Sequence, residues 1–211
     1  MPVTHWCSML KRWDEWYSND NLSRDQRILA APPSRSAEMA AGEFLARGKR
    51  RILDLACGVG RDIFHLEKHG LSAIGVDAAL NGIRAAGNTG LSLKTDAHFA
   101  VADARSLPFG SRSFDGIFCF GLLHEFTGEH SQEHLEQVIS EARRILSDQG
   151  ILILTVLAGD PQAGLPAVQL FTRPMFEHLP AGWHLLELLQ FEDIGCTNCT
   201  DYSIWYGVFE K

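Results

Sequence analysis

Ile52-Leu53-Asp54-Leu55-Ala56-Cys57-Gly58-Val59-Gly60-Arg61-Asp62 is the stretch from which the fold can be read. An apolar run ends in two closely spaced glycines, and a polar helix start follows. That is a buried strand over Arg51–Ala56, a tight turn, and a helix from Arg61 to about His69. Working outward, the same alternation repeats. Ser72–Val76 reads as a second strand and Leu80–Ala86 as a helix. Ala97–Ala102 and Phe114–Phe120 read as strands three and four. From Glu133 to Leu146 the apolar residues Leu135, Val138, Ile139, Ala142 and Leu146 recur with helical period, and Gly150–Leu157 is a fifth strand. Thr172 can cap a short helix reaching Leu179. Trp183–Phe191 and Ser203–Glu210 then read as strands joined by too short a connection for a crossover helix, hence an antiparallel hairpin. Strands alternating with helices imply a parallel sheet with right-handed crossovers. The expected fold is a doubly wound α/β domain with a seven-stranded, mostly parallel sheet and an antiparallel C-terminal hairpin.

Upstream, residues 1–33 form an aromatic-rich head closed by Pro32-Pro33, an extended break. Residues 34–211 form the domain proper, opening on a helix capped by Ser34 or Ser36 and running to about Arg47, with Met39, Ala40, Phe44 and Leu45 as its apolar face. The chain has 211 residues and a formal net charge of -7. Its single dense basic cluster, Arg47, Lys49, Arg50 and Arg51, reads as a solvated helix end, so a nucleic-acid partner is not expected. The longest apolar run, Ile151 to Ala158, is too short to span a bilayer, and no membrane association is expected. The five cysteines are odd in number and irregularly spaced, and the start carries no export pattern, so reduced thiols in the cytoplasm are expected. The chain is expected to be a monomer or homodimer.

Sheets of this kind bind ligands outside the carboxyl ends of their strands, where strand order reverses. The motifs fall at those ends. Gly58 and Gly60 accept positive φ and let a ligand approach the backbone. Asp54, four residues before the first glycine, can accept from turn amides or a ligand ammonium. Asp77, at the tip of the second strand, can take both hydroxyls of a ribose, and Asp103 can accept from an adenine amino group while Ala104 offers its N–H to a ring nitrogen. A dinucleotide fingerprint requires a third glycine where Ile63 stands. A pyrophosphate therefore fits poorly, whereas S-adenosylmethionine (SAM) has no phosphate.

These motifs together resemble the class I SAM-dependent methyltransferases. Leu53 to Asp62 resembles their first motif and Gly75-Val76-Asp77 their second. Asp103-Ala104-Arg105-Ser106-Leu107-Pro108-Phe109 with Ser113-Phe114-Asp115 resembles a segment of the small-molecule branch, and Leu122-Leu123-His124-Glu125 the loop after the fourth strand. Glu141 to Leu146 before Gly150 resembles the fifth helix and strand. The likeness covers roughly residues 34–157. It implies SAM as cofactor, with Ala56 to Gly60 along the methionine part and Asp54 near its ammonium. It also implies Asp77 and Ala78 at the ribose, Asp103 and Ala104 at the adenine, and Phe120 beside the methionine moiety. Trp13-Asp14-Glu15-Trp16-Tyr17 resembles the start of methyltransferase type 11 and tellurite-resistance-type relatives, in which this segment lies over the cofactor. Tyr17 is carried over on that basis as a cofactor contact and candidate catalytic group, and Arg35 as a partner for the SAM carboxylate. Asp62 departs from the family, which commonly has a small residue there; a helix-capping role would make the change harmless.

Methyl transfer from a sulfonium needs alignment and exclusion of water more than an acid or a metal. His124, beside the expected methyl, is the candidate general base; its other reading is a residue that shapes the pocket. No metal is expected. Cys196 and Cys199 form a lone two-residue-spaced pair, read as reduced thiols at a hairpin. The apolar residues Leu165, Leu170, Phe171 and Met175 offer a lining for a small organic acceptor. Two further readings remain: a SAM-binding sensor without transferase activity, and a nicotinamide-linked oxidoreductase opposed by Ile63.

Overall fold

In the computed structural model, residues 5–18, 32–163, 168–194 and 201–211 are described. A helix α1 (His5–Trp16) in the head precedes helix α2 (Arg35–Ala46), and the alternating order then runs β1 (Arg51–Leu55), α3 (Arg61–Lys68), β2 (Ser72–Asp77), α4 (Leu80–Leu93), β3 (His98–Val101), β4 (Phe114–Cys119), α5 (Ser131–Ile145) and β5 (Leu146–Leu157). The chain closes with α6 (Arg173–His178), β6 (His184–Ile194) and β7 (Asp201–Glu210). One seven-stranded sheet has the order β3-β2-β1-β4-β5-β7-β6. β1 to β5 pair in parallel, while β7 runs antiparallel between β5 and β6. The expected hairpin is present, and its second strand is the one inserted into the sheet.

Strand periodicity sorts the core into two layers. Leu53, Leu55, Ile117, Cys119, Leu152 and Leu154 face a cluster completed by Leu135, Val138, Ala142 and Ile145 of α5. The alternate residues Ile52, Phe118, Ile151 and Ile153 face Ala37, Ala40 and Phe44 of α2 and Ile63 and Leu66 of α3. Such fully buried strands explain why their sequences read as continuous apolar runs.

Of the two candidate caps, Ser34 is the one used: its Oγ accepts from Ala37 N at 3.0 Å. Ser36 turns instead to Asp193 of β6, whose buried carboxylate also accepts from Arg35 N at 2.9 Å and Ser36 N at 2.8 Å. A carboxylate on the first amides of α2 satisfies groups that every helix start leaves unpaired and favours the positive end of the dipole. Thr172 caps α6 as expected.

Two boundaries differ from the expectation. α4 runs on to Leu93 rather than stopping at Ala86. Gly87 and Gly90 lower helix propensity and suggest an early end. Tertiary packing overrides this, since a Cβ on Gly90 would lie 3.2 Å from the Thr95 methyl and 3.4 Å from the Phe99 ring. β5 begins at Leu146, directly after α5, with Leu146 opposite Phe114, a register shift before Gly116, and Gln149 at positive φ. The polar Asp148-Gln149 pair hides that start from a reading of hydrophobicity. Among the described residues, no helix is long and apolar enough to cross a membrane.

Candidate active site

β1 lies between β2 and β4, so chain order reverses there and a crevice opens at the carboxyl ends of these strands. The turn after β1 builds its floor. Ala56, Gly58 and Gly60 all have positive φ, at 67°, 55° and 90°. Ala56 N and Cys57 N both donate to Val76 O, at 2.8 and 3.0 Å, which ties the turn to the end of β2. Asp77 finishes the arrangement: its carboxylate accepts from Gly58 N at 3.0 Å and from Ala79 N at 2.8 Å. The acid thus braces both loops while its remaining lone pairs face the crevice. Burial pushes its pKa up, and those amide hydrogen bonds oppose the rise.

Two adjoining clefts occupy the crevice. The larger, about 630 Å³, is walled by Val76, Asp77, Ala78, Ala102, Ala104 and Leu122. The smaller, about 410 Å³, is walled by Asp54, Gly58, Arg61, Asp62 and the shared residues Tyr17 and Phe120. Asp54 is 2% exposed, and its Oδ2 has no hydrogen-bond partner among the described residues. Its pKa is raised well above the ordinary carboxylate range, first by burial and then by the charges of Asp62 and Asp77, with Arg61 opposing. An unpaired buried carboxylate oxygen is costly. Here it lies in the wall of an open cleft, where a cationic group would relieve that cost.

Helix α1 roofs the larger cleft, and the Trp13-Asp14-x-x-Tyr17 motif grips three loops at once. Trp13 Nε1 donates to Glu125 Oε2 at 3.2 Å, and Arg12 pairs with the same carboxylate. Asp14 accepts from Asn81 N at 2.8 Å, providing α4 with the cap that Ala79 lacks. Tyr17 stacks on Trp13 at 5.8 Å and lies against two glycines. A Cβ on Gly58 would stand 2.6 Å from its Oη, and one on Gly82 3.0 Å from its ring. Both glycines are needed for room, and Gly58 for its positive φ as well.

Several expected residues stand elsewhere. Arg35 is exposed, with its guanidinium over the Phe191 ring at 4.5 Å, and lines neither cleft. Its place as the cationic wall residue is taken by Arg61, which is buried, paired with Asp62 and lies 5.6 Å from the centre of the Phe120 ring. Asp62 does not cap α3; Gly60 does, without a side chain, because it alone tolerates the left-handed backbone there. Asp103 is engaged by Arg105 at 2.7 Å, and that partner outweighs burial to hold its pKa low. Ala104 lines the larger cleft, whereas Asp103 does not. Of the expected acceptor lining, Phe171 is a core residue, Met175 packs against the core, and Leu170 packs on Gly159. Leu165, Cys196 and Cys199 lie outside the described residues. Arg61, within the motifs read from the sequence, gained no role there, because Phe120, over which it lies, is remote in the chain.

His124 also lines neither cleft. Its Nδ1 is buried without a hydrogen-bond partner among the described residues, and burial lowers its pKa to about 4. It is neutral at physiological pH. The unfolded chain takes up this proton near the ordinary histidine value of 6.5 and the folded chain only near 4. Between those values the unfolded state holds more protons, so this residue lowers stability as pH falls through the window. His124→Leu is expected to remove that loss, worth up to about 3 kcal/mol. Urea unfolding of both proteins across the window checks it: the two midpoints diverge toward acid if His124 is the cause, and run parallel if it is not.

A crevice at the strand-order reversal, with Asp54 and Asp77 in its walls and Ile63 where a dinucleotide fingerprint has its third glycine, fits the resemblance to the class I SAM-dependent methyltransferases. Comparison with known proteins agrees: residues 52–150 match the family model described as a methyltransferase domain. An uncharacterized methyltransferase of Synechocystis is 32% identical over 108 residues, 51% of this chain and 47% of that protein. Among solved structures, a SAM-dependent methyltransferase of Methanosarcina mazei superposes with a TM-score of 0.65 at 21% identity, covering 76% of this chain and 92% of that one. The Burkholderia thailandensis 1,6-didemethyltoxoflavin-N1-methyltransferase, with its acceptor and S-adenosylhomocysteine bound, superposes at 0.63 and 16% identity over 84% of this chain and 79% of that one. The chain spans about half the length of the curated relatives it matches.

Proposed function

We propose that this chain transfers the methyl group of SAM to a small-molecule acceptor by in-line displacement. The observation that carries the reading is the unpartnered Asp54 Oδ2 in the wall of the smaller cleft, placed where a ligand ammonium would satisfy it. When bound, SAM supplies a methyl on a sulfonium whose departure leaves a neutral thioether. Asp54 would hold the ammonium, and Arg61 the carboxylate. Asp77 would take the ribose hydroxyls, with Ala78, Ala104 and Leu122 against the adenine and Ala56, Gly58 and Gly60 along the chain between. Phe120 and Tyr17, common to both clefts, would flank the sulfonium, and the 1–33 head would serve as the lid that excludes water. His124, neutral and outside the clefts, is not needed as a base; an acceptor that arrives unprotonated requires none.

A small acceptor is favoured over nucleic acid by the net charge of -7. The structural neighbour that holds 1,6-didemethyltoxoflavin beside S-adenosylhomocysteine is consistent with a small-molecule acceptor. The test is incubation with SAM and a panel of small amines, phenols, thiols and heterocycles, read by mass. A product heavier by one methylene, with stoichiometric S-adenosylhomocysteine, is expected. SAM binding with no acceptor modified would favour the sensor reading instead.

A further inference from the structure

Asp62, the acid that departs from the family pattern, stands beside Arg61 in the wall of the smaller cleft. The two side chains form a fork: Arg61 Nε and Nη2 donate to Asp62 Oδ1 and Oδ2 at 2.9 and 3.0 Å. Each Asp62 oxygen also accepts a second hydrogen bond, from Ser34 N at 2.8 Å and Ser34 Oγ at 2.9 Å. Ser34 is itself fixed as the α2 cap. All three residues are buried, with Ser34 at 0%, Arg61 at 9% and Asp62 at 7% exposure.

Stability alone does not account for this arrangement. Arg61 is the first residue of α3, the helix end at which the dipole disfavours a cation. Burying an ion pair costs several kcal/mol per charge in desolvation, and an apolar pair of similar volume would commonly serve the fold as well. What the arrangement does achieve is a fixed guanidinium, whose side chain would otherwise sample many rotamers. Building on the cofactor reading above, we infer that Asp62 is a positioning residue, anchored on Ser34, that holds Arg61 to receive the carboxylate at the amino-acid end of the cofactor.

Two ligands separate this role from a merely structural one. S-adenosylhomocysteine carries the amino-acid end, and 5′-methylthioadenosine lacks it. Calorimetric titration of Asp62→Ala is expected to show S-adenosylhomocysteine weakened about tenfold or more, with 5′-methylthioadenosine unchanged within about threefold. Asp62→Asn, isosteric and still able to accept from Ser34, should show a smaller but equally selective loss, and decides the matter where the alanine variant does not fold. Arg61→Met should lose at least as much as Asp62→Ala, and the double variant no more than Arg61→Met, because Asp62 acts through Arg61. Equal weakening of both ligands in Asp62→Asn, or no weakening of either, would overturn the inference. Wild-type protein that binds neither ligand would instead overturn the cofactor reading itself.

Discussion

Asp77→Ala is expected to raise the dissociation constant for S-adenosylhomocysteine by about two orders of magnitude. The carboxylate has two duties in the structure. It accepts from Gly58 N and Ala79 N, which sets the distance between the turn after β1 and the start of α4. It also faces the larger cleft, where the ribose is proposed to lie. Hydrogen bonds to a charged acceptor contribute about 1.5–3 kcal/mol each, and one such loss together with a loosened floor gives a hundredfold effect. Titration calorimetry on folded variant protein, verified by circular dichroism, checks it. A change of less than about threefold would mean that the acid braces the loops without touching the ligand.

Phe44→Ala is expected to destabilise the fold by about 3–5 kcal/mol, the range for a fully buried aromatic residue. Phe44 is 0% exposed and joins α2 to the sheet. Gly116 of β4 leaves the space its ring occupies: a Cβ there would lie 2.5 Å from the ring edge and 2.8 Å from the Ile52 Cδ1 methyl. The cavity left by the alanine variant is bounded by strand backbone, which cannot collapse into it. Chemical denaturation gives the value, and a loss below about 1 kcal/mol would contradict this account of how α2 is held.

The two predictions probe parts of the molecule that differ in how far the sequence discloses them. The central strands β1, β4 and β5 were legible because they are largely buried on both faces and read as apolar runs, and helix α5 because its apolar period is regular. The placement of Asp54 and Asp77 in the walls of the crevice was legible for a topological reason: they stand at the carboxyl ends of the adjacent parallel strands β1 and β2, beside the reversal. Local chemistry misled where a tertiary partner decides the outcome. Gly87 and Gly90 suggested a helix end, yet at Gly90 close packing on Phe99 and Thr95 favours a residue without a side chain. Arg35 was carried over from the resemblance as a partner for the SAM carboxylate, but Asp193 on β6 takes its backbone N–H and its guanidinium lies over Phe191. Arg61 was overlooked because nothing adjacent in sequence shows that it meets Phe120. The grip of Trp13, Asp14 and Tyr17 on Glu125, Asn81 and Gly58 was likewise out of reach, since each contact spans a long stretch of chain.

The central claim is that the crevice accepts an adenosyl sulfonium amino acid and rejects a dinucleotide. Parallel calorimetric titrations of the wild-type chain with SAM and with NADH test it most directly. Saturable one-to-one binding of SAM with no heat from NADH is the predicted result. NADH binding in the absence of SAM binding would contradict the claim, since it would place a pyrophosphate against the turn where Ile63 replaces the third glycine.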